Sequence, residues 1–518
     1  MIKEIQLSLT PEEAHSETLL LEKVKLSLSL SLQDECHFEI LKKSIDARKT
    51  QVKVNLRFRV FVNEPMPKTD FVFQDKDVSK AKPIHIIGAG PAGLFCALQC
   101  ITMGYKPILY ERGKTVRDRR RDLAKLNKEG LLNEESNYCF GEGGAGTYSD
   151  GKLYTRSNKR GNIPYILQLF VFFGAPNSIL YEAHPHIGTN KLPSIIEAIR
   201  NKIVSCGGEV YFEHKLTNLS VKNNKIVEIE LNDGKLVSVE NLVLATGHSA
   251  KDIYTLLHKN NIKIEAKPFA LGVRIEHPQD LIDDIQYHCN TRNEYLPPSS
   301  YSLVHQVKDR GVFSFCMCPG GIIAPASTEQ KALVVNGWSP SKRNNPFANS
   351  GMVVNIFEHD FKDSSPLSGL SFQHEVESKA FSVGGGNFVA PAQRMVDFTK
   401  NKLSNTLPIN SYLPGTKSAL LSEVLPSFVY EALSKAFIHF GQKLKNNRHA
   451  YFTNDAIVVA TESRTSSPVR IPRNKESFQH IQIENLYPCA EGAGYAGGIV
   501  SAAMDGVNIA TAIAIKNN

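Results

Sequence analysis

The feature that most restricts the fold of this 518-residue chain is a glycine-rich turn between two apolar segments. The first segment covers residues 84–87, and the turn follows with the sequence GAGPAG at residues 88–93. After the turn, apolar residues are spaced i, i+3, i+4 and i+7, which predicts an amphipathic helix that ends at Gly104. The second apolar segment covers residues 107–110. This order of strand, helix and strand predicts a βαβ unit.

The residues of this turn suit a dinucleotide-binding site. Gly88 permits a tight bend, Gly90 leaves room for a pyrophosphate, and Gly93 lets the helix pack closely on the strand. Pro91 fits the first helical turn because it has no amide hydrogen, and the free amides from Ala92 onward would receive the phosphates. The pattern predicts dinucleotide binding. The alternative is an ordinary tight turn between a strand and a helix.

An acidic residue stands at the end of the second strand. Glu111 follows Gly88 by 23 positions (111 − 88), where a carboxylate can accept both hydroxyls of an adenosine ribose. Its charge would repel a 2′-phosphate, which favours FAD or NAD over NADP. We place the neighbouring Arg112 in the same candidate site.

Two distant segments favour FAD over NAD. Residues 242–247 form an apolar strand that ends in Ala245, Thr246 and Gly247, as expected where a chain passes close to a cofactor. Residues 486–498 contain a second glycine pattern, but only 21 residues follow Gly497 (518 − 497), too few for another βαβ unit. We therefore expect this strand to return to the first sheet. The contacts predicted there are a bond from Glu491 to a ribityl hydroxyl and a helix start directed at the flavin, at Gly497, Gly498 and Ile499.

Residues 141–151 are too rich in glycine for the core of a helix or a strand. They are predicted to extend along the pyrophosphate and the isoalloxazine, where Gly143 and Gly144 would allow close approach of the backbone. Lys152 would neutralise phosphate charge. The alternatives are a surface loop and an exposed lysine.

The pattern of elements predicts an α/β fold with a Rossmann-like FAD-binding domain, in which a mostly parallel sheet and a β-meander form three layers. An inserted α+β substrate or cap domain and a small N-terminal α/β domain complete it. The predicted limits are 1–70 for the N-terminal domain, 71–82 for a linker, 83–265 and 451–518 for the FAD-binding domain, and 266–450 for the insert. Within the N-terminal domain we expect strands at 2–9 and 53–62 and a helix at 10–22.

The longer motifs resemble a bacterial family of uncharacterised FAD-dependent dehydrogenases, among the NAD(P)/FAD-dependent oxidoreductases with a glutathione-reductase-like FAD-binding fold. Besides the first glycine turn, the resemblance depends on residues 140–153, 315–321, 464–470 and 491–501. It implies a bound FAD, a two-lobed catalytic unit and a small N-terminal domain. It supplies no substrate.

Catalytic residues are left unassigned. Cys316 and Cys318 are expected to be structural thiols on one face of a strand, because a disulfide between such near neighbours is strained. Other close pairs that would complete a zinc site are missing, so no metal is expected. Cys96 and Cys100 are expected to be buried in the first helix. Further candidates, each weighed against a structural or solvated role, are an anion grip by Arg464, Arg470 and Arg473 and an acid or base among His184, His186, His305 and His374. Residues 117–128 are interpreted as a solvated helix.

Composition limits the class of protein. No segment reaches the roughly 18 apolar residues of a membrane span, and the first residues lack a secretory signal. The nine cysteines are an odd number scattered over a long chain, which does not fit the disulfide framework of a secreted protein. We therefore expect a cytoplasmic protein without a membrane partner. The net charge of +8 is compatible with an anionic ligand and does not by itself indicate nucleic acid.

The working hypothesis is an FAD-dependent oxidoreductase, a dehydrogenase or reductase that transfers a hydride through flavin N5 to or from an unidentified small molecule. It would need an external electron donor or acceptor. An FAD-dependent monooxygenase is the alternative enzyme. The alternative outside enzymes is a flavin-containing RNA-binding or regulatory protein that uses basic residues 42–59, although charges interleaved with strand residues are more typical of a solvated sheet face.

Overall fold

The computed structural model describes residues 1–31, 33–67, 71–155 and 161–517. The elements up to residue 260 are β1 (Ile2–Leu9), α1 (Pro11–His15), α2 (Glu17–Ser27), β2 (Cys36–Asp46), β3 (Lys53–Val62), β4 (Pro83–Ile87), α3 (Pro91–Met103), β5 (Lys106–Glu111), α4 (Val116–Glu129), α5 (Ile163–Phe172), α6 (Leu192–Ser205), β6 (Glu209–Phe212), β7 (Leu216–Lys222), β8 (Lys225–Leu231), β9 (Leu236–Ser238), β10 (Leu242–Leu244) and α7 (Lys251–Lys259). Those that follow are β11 (Glu265–Ala266), β12 (Phe269–Pro278), α8 (Gln279–Tyr287), β13 (Val304–Val307), β14 (Arg310–Cys318), β15 (Ile322–Pro325), β16 (Val335–Trp338), β17 (Phe347–Ile356), α9 (Ser368–Gly384), β18 (Ala390–Arg394), α10 (Met395–Thr399), β19 (Thr416–Ser418), α11 (Ser427–Lys443), β20 (Ile457–Glu462), β21 (Val469–Arg470), β22 (Leu486–Pro488) and α12 (Ile499–Asn517).

The N-terminal domain is a three-stranded antiparallel sheet in the order β1-β3-β2, with α1 and α2 beside it. Alternate residues of β3, namely Leu56, Phe58 and Val60, are fully buried and form its core. The single helix expected at 10–22 is wrong. Ser16 interrupts it, because this residue ends α1 and its hydroxyl accepts the amide of Leu19 as the cap of α2. The predicted domain limit at residue 70 lies outside the described residues.

A five-stranded parallel sheet in the order β22-β10-β4-β5-β6 forms the centre of the predicted FAD-binding domain. Its strands come from both ends of the region, as expected for a C-terminal strand that returns to the first sheet. Helices α3, α5, α6 and α12 share one hydrophobic core with one face of the sheet. The meander β7-β8-β9 and α7 share a core with the other face. The predicted α/β class with a parallel sheet is therefore confirmed, and the layers number three.

Helix α12 is the one helix within the described residues that is long and apolar enough to cross a membrane, by length and composition alone. Its sequence contains no run of 18 apolar residues, because Asp505 and other polar residues interrupt it, so the expectation from the sequence is not contradicted. In the structure 61% of its apolar window is buried. It packs so closely on α3 that a Cβ atom at Gly506 would lie 2.1 Å from the carbonyl oxygen of Ala92. Here α12 is part of the protein core.

A second, seven-stranded sheet has the order β13-β14-β17-β12-β20-β18-β19, and only its β18–β19 pair is parallel. Helices α8, α9, α10 and α11 contribute to its core. We had placed residues 451–518 in the FAD-binding domain, but β20 pairs with β12 and β18 in this second sheet. All six residues of β20 are buried, since the strand lies inside the sheet. The inserted domain therefore continues past residue 450.

Candidate cofactor and active site

The turns after four parallel strands meet at one edge of the first sheet. Parallel strands bring their carboxyl ends to the same edge, which is where open α/β sheets bind ligands. Backbone hydrogen bonds fix these turns to one another: Gly88 donates to Tyr110 at 2.8 Å, Ala245 donates to Ile87 at 2.8 Å, and Cys489 donates to Leu244 at 2.9 Å. A cavity of about 270 Å³ opens between them.

Most of the predicted cofactor contacts line this cavity. Fourteen of them do so: Gly88, Gly90, Pro91, Ala92, Glu111, Arg112, Gly144, Lys152, Ala245, Thr246, Gly247, Glu491, Gly498 and Ile499. Gly93, Gly143 and Gly497 are not among the lining residues. A Cβ at Gly143 would meet Thr147 and Ile196, and a Cβ at Gly497 would lie 3.7 Å from the Glu491 carboxylate.

Gly90 and Gly93 serve the first turn in different ways. Gly90 begins α3 without a side-chain cap, so the first amides of the helix point to the cavity unpaired by a cap. A Cβ at Gly90 would have only the Cα of Gly144 near it, at 3.9 Å. A Cβ at Gly93 would lie 1.9 Å from the carbonyl oxygen of Gly88. The absence of a side chain at Gly90 therefore keeps the cavity open, whereas at Gly93 it permits the helix to pack.

The carboxylate of Glu111 is already largely occupied. It accepts the amides of Ala89 at 2.9 Å, Gly113 at 3.0 Å and Gly141 at 2.9 Å. A carboxylate offers about four acceptor positions, so about one is left for a ribose. We had expected it to accept both ribose hydroxyls. Its contacts show a second task, which is to hold three backbone turns around the cavity.

Arg112 is fixed by two carboxylates. Its Nε lies 2.8 Å from Glu135, and its Nη1 donates to Asp252 at 3.1 Å. The guanidinium also lies over the ring of Phe140, 4.3 Å from the centroid. Arg112 and Phe140 both line the cavity beside Glu111. Because its charge is already paired, Arg112 shapes this end of the cavity rather than offering a free cation.

The sequence-based interpretation of residues 117–128 as a solvated helix misses Arg119. This residue of α4 is fully buried, and its guanidinium binds only backbone carbonyls. The acceptors are Asn137 at 2.7 Å, Tyr138 at 2.9 Å, Gly141 at 3.3 Å, Glu142 at 2.9 Å and Gly144 at 2.9 Å. A buried cation requires such partners. Arg119 thus holds the glycine-rich loop in the conformation that lines the cavity. Its neighbours in the sequence are also charged, so the sequence does not distinguish it from a solvated arginine.

We name two parts of the cavity lining by the residues that form them. The glycine wall comprises Gly88, Gly90–Ala92, Gly144–Gly146 and Ala245–Gly247. The second-domain wall comprises Phe315, Cys316, Asn336, Arg464 and Thr465. The inserted domain therefore closes the end of the cavity that the first sheet leaves open.

A buried ion pair stands directly behind the second-domain wall. The guanidinium of Arg274 is fully buried and donates through Nη1 to both carboxylate oxygens of Glu462, at 2.9 and 2.8 Å. Its Nη2 donates to the carbonyl oxygen of Cys316 at 2.7 Å, and its Nη1 also lies 3.3 Å from Asn336 Oδ1. Burial lowers the pKa of Arg274, but the charge of Glu462, the thiols of Cys318 and Cys316 and the hydrogen bonds to Glu462 together outweigh it and raise that pKa. The cation is therefore permanent.

The three arginines predicted as an anion grip do not converge. Arg464 is buried and bound to Glu377, with Nη2–Oε2 and Nε–Oε1 distances of 3.0 Å. Arg473 binds Asp505 at 2.7 Å, away from the lining. Arg470 is exposed on β21, with its guanidinium 5.8 Å from the ring centroid of Tyr495. Only Arg464 reaches the cavity.

The four histidines singled out from the sequence lie elsewhere. His184 contacts Tyr154, His186 lies 3.2 Å from the Ser341 carbonyl, His305 stacks on His439, and His374 pairs with Glu329. Among the described residues, two histidines line the cavity, His214 and His248. His214 Nδ1 lies 2.6 Å from the carbonyl oxygen of Phe212, whereas His248 Nδ1 lies 3.6 Å from Glu491 Oε2. The place of His248 next to Gly247, at the end of a predicted strand, is the signal that could have identified it.

The basic N-terminal residues are largely paired. Arg57 and Arg59 bind Glu4, Arg48 binds Asp46, and Lys43 lies 3.4 Å from Glu182. This pairing fits the interpretation of a solvated sheet face.

Comparison with known proteins identifies the family. An uncharacterised protein of Clostridium beijerinckii is 44% identical over 516 residues, which is 95% of each chain. Residues 268–465 match a family described as "FAD-dependent protein, C-terminal domain-like", and residues 1–61 match a domain of unknown function (DUF8436). The chain belongs to a family of uncharacterised FAD-dependent proteins. The resemblance found in its motifs is confirmed.

Solved flavoenzymes are more distant. The chain is similar to the tetracycline destructase Tet(51), with 12% identity and a TM-score of 0.35 over 85% of this chain and 83% of that one. It is also similar to glycine oxidase of Bacillus cereus, with 12% identity and a TM-score of 0.30 over 85% and 96%. TM-scores in this range do not establish a common fold or reaction.

FAD is the cofactor of this family, and the residues of the cavity fit it. Two helix starts, those of α3 and α12, open on the same cavity through Gly90 and Gly498. The open space at Gly90 and the glycines opposite leave room for a phosphate against the backbone amides. The assignment of individual cofactor contacts remains our proposal.

Proposed function

We propose that this flavoprotein is a cytoplasmic oxidoreductase of the dehydrogenase or reductase type, acting on a small molecule together with an external electron donor or acceptor. Bound FAD supplies hydride acceptance or donation at N5. The observation that carries the proposal is the second-domain wall. It encloses the cavity with side chains such as Cys316, Asn336 and Arg464, beyond what binding a cofactor to the first sheet requires.

The start of α12 favours negative charge at this end of the cavity. Gly498 and Ile499 line it, and the first amides of an α-helix are not paired within the helix. The positive end of the helix dipole stabilises an anionic group placed there. The geometry therefore supports the role expected for this helix, which is to stabilise a reduced, negatively charged flavin.

His248 and Glu491 are the proton-carrying pair best placed for the reaction. Both line the cavity, and the Nδ1–Oε2 distance of 3.6 Å is within the range of an ion pair and slightly longer than a hydrogen bond. His248 also borders a second, smaller space of about 40 Å³ that Tyr138, Tyr148 and Trp338 line. A proton donor or acceptor between these two spaces would serve a substrate bound beside the cofactor.

The test is an anaerobic screen of the purified holoprotein against metabolite pools for bleaching of the flavin absorbance. A dehydrogenase or reductase is reduced by at least one substrate alone and is reoxidised by a quinone or another acceptor. A monooxygenase instead consumes oxygen in proportion to a hydroxylated product. The control is His248→Gln, which should keep FAD but slow substrate-dependent bleaching at least about tenfold, since acid–base catalysis contributes about 10²–10⁴-fold. If no pool reduces the flavin and no reduced nicotinamide does so either, the proposal is wrong.

A further inference from the structure

Two cysteines stand at the second-domain wall, and they differ in exposure. Cys316 lines the cavity and is half-buried, whereas Cys318 is fully buried. Both thiols are free. The Sγ atom of Cys318 lies 3.3 Å from the carbonyl oxygen of Cys316. One thiol thus faces the cofactor cavity, and the second stands immediately behind it.

The backbone around Cys316 is irregular. Residues two apart in a regular strand have Cα atoms about 6.7 Å apart, close to the upper limit of about 6.8 Å for a disulfide. Here the pairing of β14 with β17 shifts register between Phe315 and Cys318, and Cys316 has a φ of 44°, in the left-handed region. Such a bulge bends the strand and re-aims its side chains. The interpretation of these cysteines as structural assumes a regular strand, in which a disulfide between them is strained. That assumption does not hold at this bulge.

The surroundings of Cys316 favour its thiolate. Hydrogen bonding from Cys318 lowers the pKa of the Cys316 thiol, and the positive charges of Lys152 and Arg274 lower it further against the effect of burial. The same contact raises the pKa of Cys318. Lys152 is fixed at the cavity by a hydrogen bond to the Met317 carbonyl. The negative charges that oppose these effects belong to Asp150 and Glu462.

We propose that Cys316 and Cys318 form a second two-electron redox centre, a dithiol that exchanges electrons with the FAD bound in the same cavity. In the oxidising direction, the Cys316 thiolate and the Cys318 thiol form an Sγ–Sγ bond while the S–H bond of Cys318 breaks. Two electrons and one proton leave the pair, which is what oxidised FAD takes up to become its anionic reduced form. In the reverse direction, two electrons and one proton supplied from reduced FAD would break the Sγ–Sγ bond and restore the Cys316 thiolate and the Cys318 thiol. The inference deepens the proposed function and rests on it for FAD in the cavity.

Alkylation tests the thiolate without using enzyme activity. In holoprotein that has first been reduced, iodoacetamide at pH 6 should modify Cys316 at least about tenfold faster than Cys289, a half-buried cysteine outside the cavity lining, because the thiolate is the reactive form. Mass spectrometry of the modified holoprotein locates the label. The substitution Lys152→Met should slow the reaction at Cys316 at pH 6 but leave the rate at Cys289 unchanged. Equal rates at the two cysteines in the unsubstituted protein would contradict the proposal.

Electron counting tests the coupling. Anaerobic titration of the fully oxidised holoprotein with dithionite should take up about four electrons per FAD, two for the flavin and two for the disulfide. The Cys316→Ser and Cys318→Ser variants should take up about two, while Cys289→Ser should still take up four. Peptide mapping before the titration should find a Cys316–Cys318 disulfide. If the unsubstituted protein takes up two electrons and this peptide is absent, the dithiol proposal is wrong.

These results also separate this proposal from the proposed function. Uptake of four electrons without any small molecule that reduces the flavin would support the dithiol and overturn the proposed substrate reaction. Flavin reduction by a small molecule, with uptake of only two electrons, would overturn the dithiol alone.

Discussion

The glycine wall and the second-domain wall line the same cavity but are built from different parts of the chain. The glycine wall presents backbone, with open space at the Cβ position of Gly90 and unpaired amides at the start of α3. The second-domain wall presents side chains, and its backbone is fixed from behind by the fully buried Arg274–Glu462 pair. Backbone amides and glycines suit a phosphate, which every FAD carries. Charged and reactive side chains suit the part of the site where the reaction differs between flavoproteins. We therefore propose that cofactor binding and reaction specificity are carried by separate domains.

The largest effect is expected from Arg274→Met. Removing one partner of a buried ion pair leaves the Glu462 charge uncompensated, which costs about 3–5 kcal/mol of unfolding free energy. The fluorescence of Trp338, the one tryptophan of the chain, reports on this domain because it lies on β16 of the inserted domain. Urea unfolding followed at this residue measures the loss. The double substitution Arg274→Met with Glu462→Leu should recover more than half of it. If the Arg274→Met variant is as stable as the unsubstituted protein, the ion pair does not stabilise this wall.

In the same domain, Glu276 should make the unfolding free energy depend on pH. Burial raises the pKa of this carboxyl from 4.5 to about 7, against the lowering effect of hydrogen bonds from Ser411 and of the Arg274 charge. A folded state with the higher pKa holds the extra proton between these values, so the contribution to stability is present below pH 4.5 and is lost as pH rises through 7. The loss amounts to about 3 kcal/mol at about 1.36 kcal/mol per unit.

The substitution Glu276→Gln measures this contribution. The variant should gain stability relative to the unsubstituted protein as pH rises from 4.5 to 8, again followed at Trp338. Glu294→Gln, which alters an exposed carboxylate of the same domain, is the matched control. A difference in unfolding free energy that does not vary with pH would show that Glu276 is ionised throughout.

On the glycine wall, Gly90→Val should reduce FAD affinity by at least about 100-fold, which corresponds to about 2.7 kcal/mol. Its φ of −77° accepts a side chain, so the effect comes from the volume that valine places in the cavity and not from the backbone. The FAD affinity of Gly90→Ala should lie between those of Gly90→Val and the unsubstituted protein, because its Cβ meets only the Cα of Gly144, at 3.9 Å. Gly93→Ala, with a Cβ 1.9 Å from the Gly88 oxygen, should instead lower the unfolding temperature. The FAD-to-protein ratio after purification and the dissociation constant separate these outcomes. A Gly90→Val protein that keeps its FAD would overturn the assignment of the turn.

The two walls also differ in how far the sequence predicts them. The turn at 88–93, its helix and Glu111 lie within 24 residues, and each position has a local conformational reason, so spacing alone predicts this part of the site (111 − 88 + 1). Cys316 is different, because the alternation of residues in β14 does not reveal the register shift against β17 or the left-handed φ of Cys316. Arg119 and Arg274 resemble other arginines in sequence, since their burial depends on carbonyls and carboxylates from distant segments. Long-range packing therefore decides the second-domain wall, and a single sequence does not contain that information in local form.

The smallest effect is expected where the two walls meet, at Glu491. Its carboxylate lines the cavity, is about a quarter exposed (28%) and lies 3.6 Å from His248, so it is free to accept a hydroxyl of the cofactor. Glu491→Ala should weaken FAD binding about tenfold, or about 1.4 kcal/mol, the scale of one hydrogen bond to a charged group. Glu491→Gln keeps an acceptor and should lose less affinity, but it removes the charge beside His248 and should shift the pH dependence of flavin reduction. Titration of the FAD-free protein with FAD measures the affinity, and the pH profile of the holoenzyme measures the charge. If neither variant changes either quantity, Glu491 has no role at this junction, and the cofactor end of the cavity depends on backbone alone.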